Sequence, residues 1–418
     1  MNIANITRTH GSRGDVLLRQ NCGQWEVESH GSYVYGHKGG DYLDLGSFAV
    51  FLFGHDNPYF KKRIQEQLLK LNGTSRAMLS PPVADAMLRL ASIAPKGLHK
   101  ICLMNSGSEI VEAAIKIAVT KTGRSLLARM SSGYHGKTLG SLALTDCQAF
   151  REPCSDLIPK TLRLPRNDIS KSVQDILHHR PAALFIEPIQ GEGGIFEFSP
   201  TELLNLKQAC QETGTLLIFD EIQCGLGRSG TIWASESSGI LPDILLSGKA
   251  LGGGMIAVSA LMATPEAFKP MDKNPLLHSS TMAANPLACA AVHACVDILS
   301  QPSFLDLVNK NSSMFNKMLN NLVEQFPRIF IKHTGRGLMR GLHCSSAEAA
   351  AHMLSACWDN KLIVTPCLST PEVLRITPTG VMKDKDFIVC QERIFLSASQ
   401  VMKKNMLKKG DSNAISLC

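Results

Sequence analysis

Asp220 closes the apolar run Leu216-Leu217-Ile218-Phe219, and Lys249 follows a second run, Ile244-Leu245-Leu246, inside Ser247-Gly248-Lys249-Ala250-Leu251-Gly252-Gly253-Gly254. Taken singly, an acid there is more often a loop cap, and a lone lysine a solvated charge. An acid and an amine at the ends of two strands can do more. The acid can keep a pyridinium nitrogen protonated, so that the ring absorbs electrons. The amine can carry an aldehyde as a Schiff base and later move protons. That chemistry belongs to pyridoxal 5'-phosphate.

Such a pair has to be held by a sheet. The apolar runs 183–186, 216–219 and 244–246 alternate with stretches of helical periodicity, the mark of a mostly parallel sheet covered by helices on both faces. Between the first two runs, Pro200 to Thr213 reads as a crossover helix. Ser199 is its N-cap, Pro200 its first helical residue, Leu203, Leu204, Leu206, Ala209 and Cys210 its apolar face, and Gly214 its stop. Pro286 to Leu299 is another strong helix, after which the elements become shorter and mixed. The chain is therefore expected to divide into an N-terminal segment, 1–45, that joins a small domain; a large cofactor-binding domain, 46–290; and a C-terminal small α/β domain, 291–418. No repeat or low-complexity linker interrupts it.

A cofactor phosphate needs an anion site. Asn105-Ser106-Gly107-Ser108-Glu109 opens an amphipathic helix with capping-box spacing between Ser106 and Glu109. Its free N–H groups and positive dipole end would draw a phosphate, and Gly107 would let it come close. A plain capping box is the commoner reading of such a turn. Two rival phosphate motifs fail. Gly225-Leu226-Gly227-Arg228-Ser229-Gly230 follows a strand, but 231–239 is too short for the helix a dinucleotide fold requires. Gly248-Lys249 is followed by alanine, and position 243 is not glycine, so it is no nucleotide P-loop.

Composition narrows the class. With 418 residues, 44% of them hydrophobic, the chain can bury a large core. Its net charge of +7 is spread along the chain, which argues against a nucleic-acid binder; the main cluster is Lys403, Lys404, Lys408 and Lys409 in the tail, read as a solvated helix end. The thirteen cysteines form no Cys-x-x-Cys pair, so neither a disulfide framework nor a zinc site is expected, and the histidines add no metal-ligand spacing. No stretch is apolar for the roughly 18–20 residues of a membrane helix, the amino terminus lacks a signal core, and the final cysteine is no prenylation box. A cytoplasmic location is expected.

The pieces resemble the class III aminotransferases, pyridoxal phosphate enzymes of fold type I that include ornithine, acetylornithine, GABA and putrescine aminotransferases. The likeness runs from about Tyr42 to Pro378. It is carried in order by Asn105 to Glu109, Gly133-Tyr134-His135-Gly136-Lys137-Thr138, Glu187-Pro188-Ile189-Gln190-Gly191-Glu192, Phe219-Asp220-Glu221-Ile222-Gln223, Ser247-Gly248-Lys249 and His278 to Pro286. The resemblance implies Lys249 as the Schiff-base lysine and Asp220 as the partner of the ring nitrogen. Tyr134 and Ile222 would lie on the two ring faces and Gln223 beside the ring hydroxyl. Ser106, Gly107 and Ser108 would hold the phosphate. Thr281 would reach it from the other subunit of a homodimer, so that the site lies at the subunit interface. After that threonine the family has an aromatic residue and a glycine, where Met282 and Ala283 stand here. The part played by His135 is left open.

The same resemblance implies a two-stage amino transfer in which Lys249 shuttles the substrate proton. Arg375, in Leu374-Arg375-Ile376-Thr377-Pro378, would grip the carboxylate of glutamate or 2-oxoglutarate with its planar fork, and Glu192 would pair with it when the substrate has no carboxylate there. Lys137 departs from the arginine usual in ornithine, acetylornithine and GABA enzymes and matches putrescine-type members; arginine and lysine are not interchangeable at a bidentate site. It therefore points to a diamine or ω-amino acid as amino donor, unless it is a solvated lid residue. Two other readings share these residues: an aminomutase or epimerase on the same scaffold, and a non-catalytic scaffold subunit.

Overall fold

The computed structural model describes residues 24–414, and side chains as far as Lys403. The amino-terminal stretch read for a signal, the side chains of Lys404, Lys408 and Lys409, and Ile415 to Cys418 lie outside the described residues.

The apolar runs become the central sheet. Its seven strands are β1 (Lys100–Met104), β2 (Leu127–Met130), β3 (Thr161–Leu164), β4 (Ala183–Ile186), β5 (Leu216–Asp220), β6 (Ile244–Ser247) and β7 (Ser259–Ala263), in the spatial order β1-β7-β6-β5-β4-β2-β3. Pairing is parallel throughout, except that β7 runs antiparallel between β6 and β1. Strands β4, β5 and β6 are buried at every residue, which is why they read as unbroken apolar runs.

Helices cover both faces. On one, α1 (Gly107–Thr122) packs Ile110, Val111, Ala114, Ile117 and Ala118 with Ile218, Leu246 and Leu261 of the sheet. On the other, α2 (Ile169–His179) and α3 (Pro200–Thr213) pack with Leu184, Ile186, Leu217 and Phe219. The crossover helix has the bounds expected of it: the Ser199 side chain accepts from the N–H of Glu202, and Gly214 ends it at φ 64°. The helix α4 (Pro286–Leu299) is almost wholly buried. No single helix among the described residues is long and apolar enough to cross a membrane.

Two smaller sheets flank this body. The strands Glu26–His30, Tyr33–Gly36 and Asp41–Asp44 form a meander whose last strand pairs in parallel with Leu362–Ile363. The second contains Phe330–Arg336, Met339–Cys344, Val373–Ile376 and Thr365–Pro366, and it supplies Arg375. Arg228 links these parts from inside. It is 1% exposed and donates to the carbonyls of Ala49, Leu338 and Pro378, while burial pulls its guanidinium down to about 9.

Candidate active site

The carboxyl ends of β5 and β6 open on one cavity. Among its lining residues are Ser106, Gly107, Ser108, Tyr134, Ile222, Gln223, Asp220, Glu192 and Lys249. Residues spread over more than 140 positions thus meet because parallel strands end on the same side of the sheet.

At the floor, Asp220 is 4% exposed. One oxygen accepts from the N–H of Ile222 at 3.1 Å and the other from His135 Nδ1 at 2.7 Å. An acid so held keeps its charge aimed at one point. Lys249 follows β6 on a short turn and stands in the left-handed region at φ 45°, a conformation uncommon for a side chain with a Cβ. Burial lowers its amine to about 8, against the smaller opposing pull of Glu192. A lysine in that range holds and releases a proton near neutral pH.

The Gln223 amide decides what the cavity can hold. Both its nitrogen and its oxygen are buried without a hydrogen-bond partner, and Nε2 of His135 is likewise unpartnered. Orphaned buried groups of this kind call for a polar ligand. Gly191 clears room for that amide, since a Cβ there would lie 1.5 Å from Gln223 Oε1. Tyr134 and Ile222 both line the cavity, and burial raises the Tyr134 phenol to about 12.

At the other end is the start of α1. Ser106 caps it, its hydroxyl accepting from Glu109 N at 3.3 Å while the Glu109 carboxylate takes the N–H groups of Asn105 and Ser106. The N–H groups of Gly107 and Ser108 have no acceptor within the helix. A flat polar ring with a phosphate tail therefore fits the residues present: an acid and an amide at one end, an amine at the side, free N–H groups at the other.

Two residues given no role by the sequence reading also belong here. Glu187 lines the cavity, 6% exposed, and accepts from the N–H of Tyr134 at 2.8 Å and of Gly191 at 3.0 Å; burial raises it to about 7. Its motif signalled it, but its adjacency to Tyr134 is a tertiary fact. Phe48 lies over the Arg375 guanidinium at 5.1 Å from a turn in which Ser47, Phe48 and Ala49 all have positive φ. Nothing in its local sequence marked it.

Arg375 is fully buried and paired with Glu192, whose second oxygen accepts from Leu368 N at 3.0 Å. Thr365 Oγ1 takes another of its N–H groups at 3.2 Å. Three expected positions behave differently. Lys137 is outside the cavity lining; its ammonium sits 3.9 Å over the Phe150 ring. Arg375 is likewise not part of the lining itself and reaches it through Glu192. Thr281 is exposed and does not line the cavity of its own chain, although its neighbour Ser280 accepts from Asn105 Nδ2 at 2.9 Å beside the phosphate turn. In the departure after it, Met282 is 60% exposed and Ala284 adopts φ 55°.

The family described as aminotransferase class-III matches residues 21–395. Among solved structures, the ornithine aminotransferase of Toxoplasma gondii is 26% identical, with a TM-score of 0.85, covering 93% of this chain and 95% of its own. A transaminase from the marine bacterium Virgibacillus is 18% identical, with a TM-score of 0.90, covering 97% and 100%. An omega transaminase of Pseudomonas jessenii, solved with PMP, is 20% identical, with a TM-score of 0.84, covering 91% and 93%.

Proposed function

The chain belongs to the class III aminotransferases, pyridoxal phosphate enzymes of fold type I, and from that premise we propose that it moves an amino group from a diamine or ω-amino acid to an oxo acid, 2-oxoglutarate being the first candidate. The observation that carries the donor class is the position of Lys137. With its ammonium against Phe150, no guanidinium stands there to grip a donor carboxylate, so of the two donor types the diamine is the better fitted. The Glu192–Arg375 pair supports the same reading, since it leaves a neutral surface for a donor without a carboxylate and a releasable arginine for the oxo acid.

When bound, pyridoxal phosphate supplies an aldehyde to take up the amine and a ring to spread the charge left when the α proton departs. The protein's share follows from its residues. Asp220, held by His135, would keep the ring nitrogen protonated. Gln223 would meet the ring hydroxyl, Tyr134 and Ile222 the two faces, and Ser106, Gly107 and Ser108 the phosphate. Lys249 would anchor the aldehyde in the resting enzyme and, once displaced, take the proton from the substrate carbon that bears the amine. Arg375 would orient the oxo acid by its carboxylate.

We assign Thr281 to the phosphate of a second copy in a homodimer; its exposure in the single chain supports that assignment. The pairing of Asp41–Asp44 with Leu362–Ile363 supports the division into 1–45, 46–290 and 291–418, with the first and last segments together. The cysteines among the described residues are all unpaired, which supports a reducing, cytoplasmic setting.

The test is a half-reaction panel of amines, following the cofactor's visible band. Diamines and ω-amino acids should convert it fastest. If N-acetylornithine or ornithine far outran them, the donor class would be rejected.

A further inference from the structure

Glu192 stands at the tip of a short hairpin closed by the pairing of Gln190 with Phe196, and its own carbonyl accepts from Ser369 N at 3.1 Å. Gly191 precedes it, and Gly193 and Gly194 follow, so the backbone around the carboxylate has the freedom of three residues without side chains. Contacts from outside the hairpin limit that freedom: Leu368 N on the Glu192 carboxylate at 3.0 Å and the Glu187 carboxylate on Gly191 N at 3.0 Å. Arg166 adds a brace across the two sides of the turn: one guanidinium nitrogen, Nη1, donates to Gln190 Oε1 at 2.6 Å and to the Gly193 carbonyl at 2.7 Å. The Gln190 amide, fully buried, passes the link on to the Ser131 carbonyl at 3.0 Å. A Cβ on Gly193 would lie 2.8 Å from Arg166 Nη1, so the close approach needs glycine there. The guanidinium rests on the Phe196 ring at 4.6 Å, and the Arg166 N–H donates to Ser131 Oγ at 3.0 Å.

We propose that Arg166 is a positioning residue for substrate choice: by fixing the Gly191–Gly194 turn it sets how firmly Glu192 holds Arg375, and so how readily Arg375 is released to a substrate carboxylate. The inference rests on the roles proposed for Glu192 and Arg375. Arg166 lies three residues before the helix α2 and touches neither of them directly, so its influence runs through Gln190 and the Gly193 carbonyl.

The experiment titrates the holoenzyme with glutarate, a dicarboxylate that carries no reacting group, by calorimetry. In R166Q the turn relaxes, Glu192 competes less well for Arg375, and glutarate binds about fivefold tighter, the scale of one modest hydrogen bond. R166K keeps a donor for one acceptor and should lie between wild type and R166Q. In the E192Q background, R166Q should change nothing further, because the residue it acts through is already neutral. Unchanged or weaker glutarate binding in R166Q, or an equal effect with and without Glu192, overturns the proposal. If R166Q does not fold, the same comparisons in R166K decide. A wild type that converts no amine would sink the proposed donor class and leave this result standing. A wild type that converts amines while R166Q binds glutarate as wild type does would sink only the role of Arg166.

Discussion

His135 Nδ1 lies 2.7 Å from Asp220 Oδ2, and both side chains are almost wholly buried. The imidazole thus orients the acid that faces the cavity, as a partner one step behind the reacting groups. Replacing Asp220 with alanine should slow the amine half-reaction by about 100-fold or more. Replacing His135 with asparagine should weaken cofactor binding by roughly 10- to 100-fold. Stopped-flow absorbance and cofactor titration measure these, and a His135 variant indistinguishable from wild type would remove the imidazole from the mechanism.

Burial holds the Lys249 amine at about 8, well below the usual lysine range, and only the neutral amine can attack an aldehyde. Uptake of pyridoxal phosphate by the cofactor-free chain should therefore climb about tenfold per pH unit up to that value and level off above it. The yellow band reports the rate. A climb continuing unbroken to pH 10 would mean that the amine is not depressed, and turnover surviving in K249A would contradict its role altogether.

Arg375 is, among the described residues, the one guanidinium paired with Glu192, so R375A should raise KM for the oxo acid by roughly 10- to 100-fold, as expected for losing hydrogen bonds to a charged group. Donors without a carboxylate should keep their KM. Steady-state kinetics with both substrates varied separates the two effects, and parallel loss on both sides would point to a merely structural ion pair.

Glu221, next to Asp220, is fully buried and accepts from the N–H groups of Ala234 and Ser235, yet burial outweighs those bonds and raises it to about 7. A raised carboxyl favours the folded state while both forms of the chain carry the proton. That stability is complete below about pH 4.5 and is lost as pH rises through 7. E221Q stays neutral, so the wild type should lose on the order of 3 kcal/mol relative to it across that window. Denaturant melts at several pH values test this, and parallel stability curves would show that Glu221 does not titrate there.

The central sheet was legible because its strands are buried on both faces and therefore read as short unbroken apolar runs; Leu216 to Phe219 is the plainest case. The start of α1 and the whole of α3 were legible because caps and stops are local: Ser106, Ser199 and Gly214 act within four residues of themselves. What local pattern does not contain is side-chain direction. Lys137 sits within a recognised motif, yet which way its chain turns depends on Phe150, which belongs to the short helix Gln148–Arg151. Phe48 reaches Arg375 from a turn of three positive-φ residues capped by Gly46; the glycine hints at a turn, but nothing local says where the ring will point. Glu187 was quoted within a motif, but its hold on Tyr134 arises only when β4 comes to lie beside β2.

The parallel pairing of Leu43 with Leu362 joins two strands separated by most of the chain. During synthesis the first of them leaves the ribosome long before its partner exists, and a contact of such sequence separation forms slowly. The meander 26–44 must therefore wait, its last edge open, until the final third of the polypeptide has emerged. A nascent chain stalled before residue 362 would carry that edge exposed, an unpaired row of backbone groups of the kind that invites another strand to pair with it.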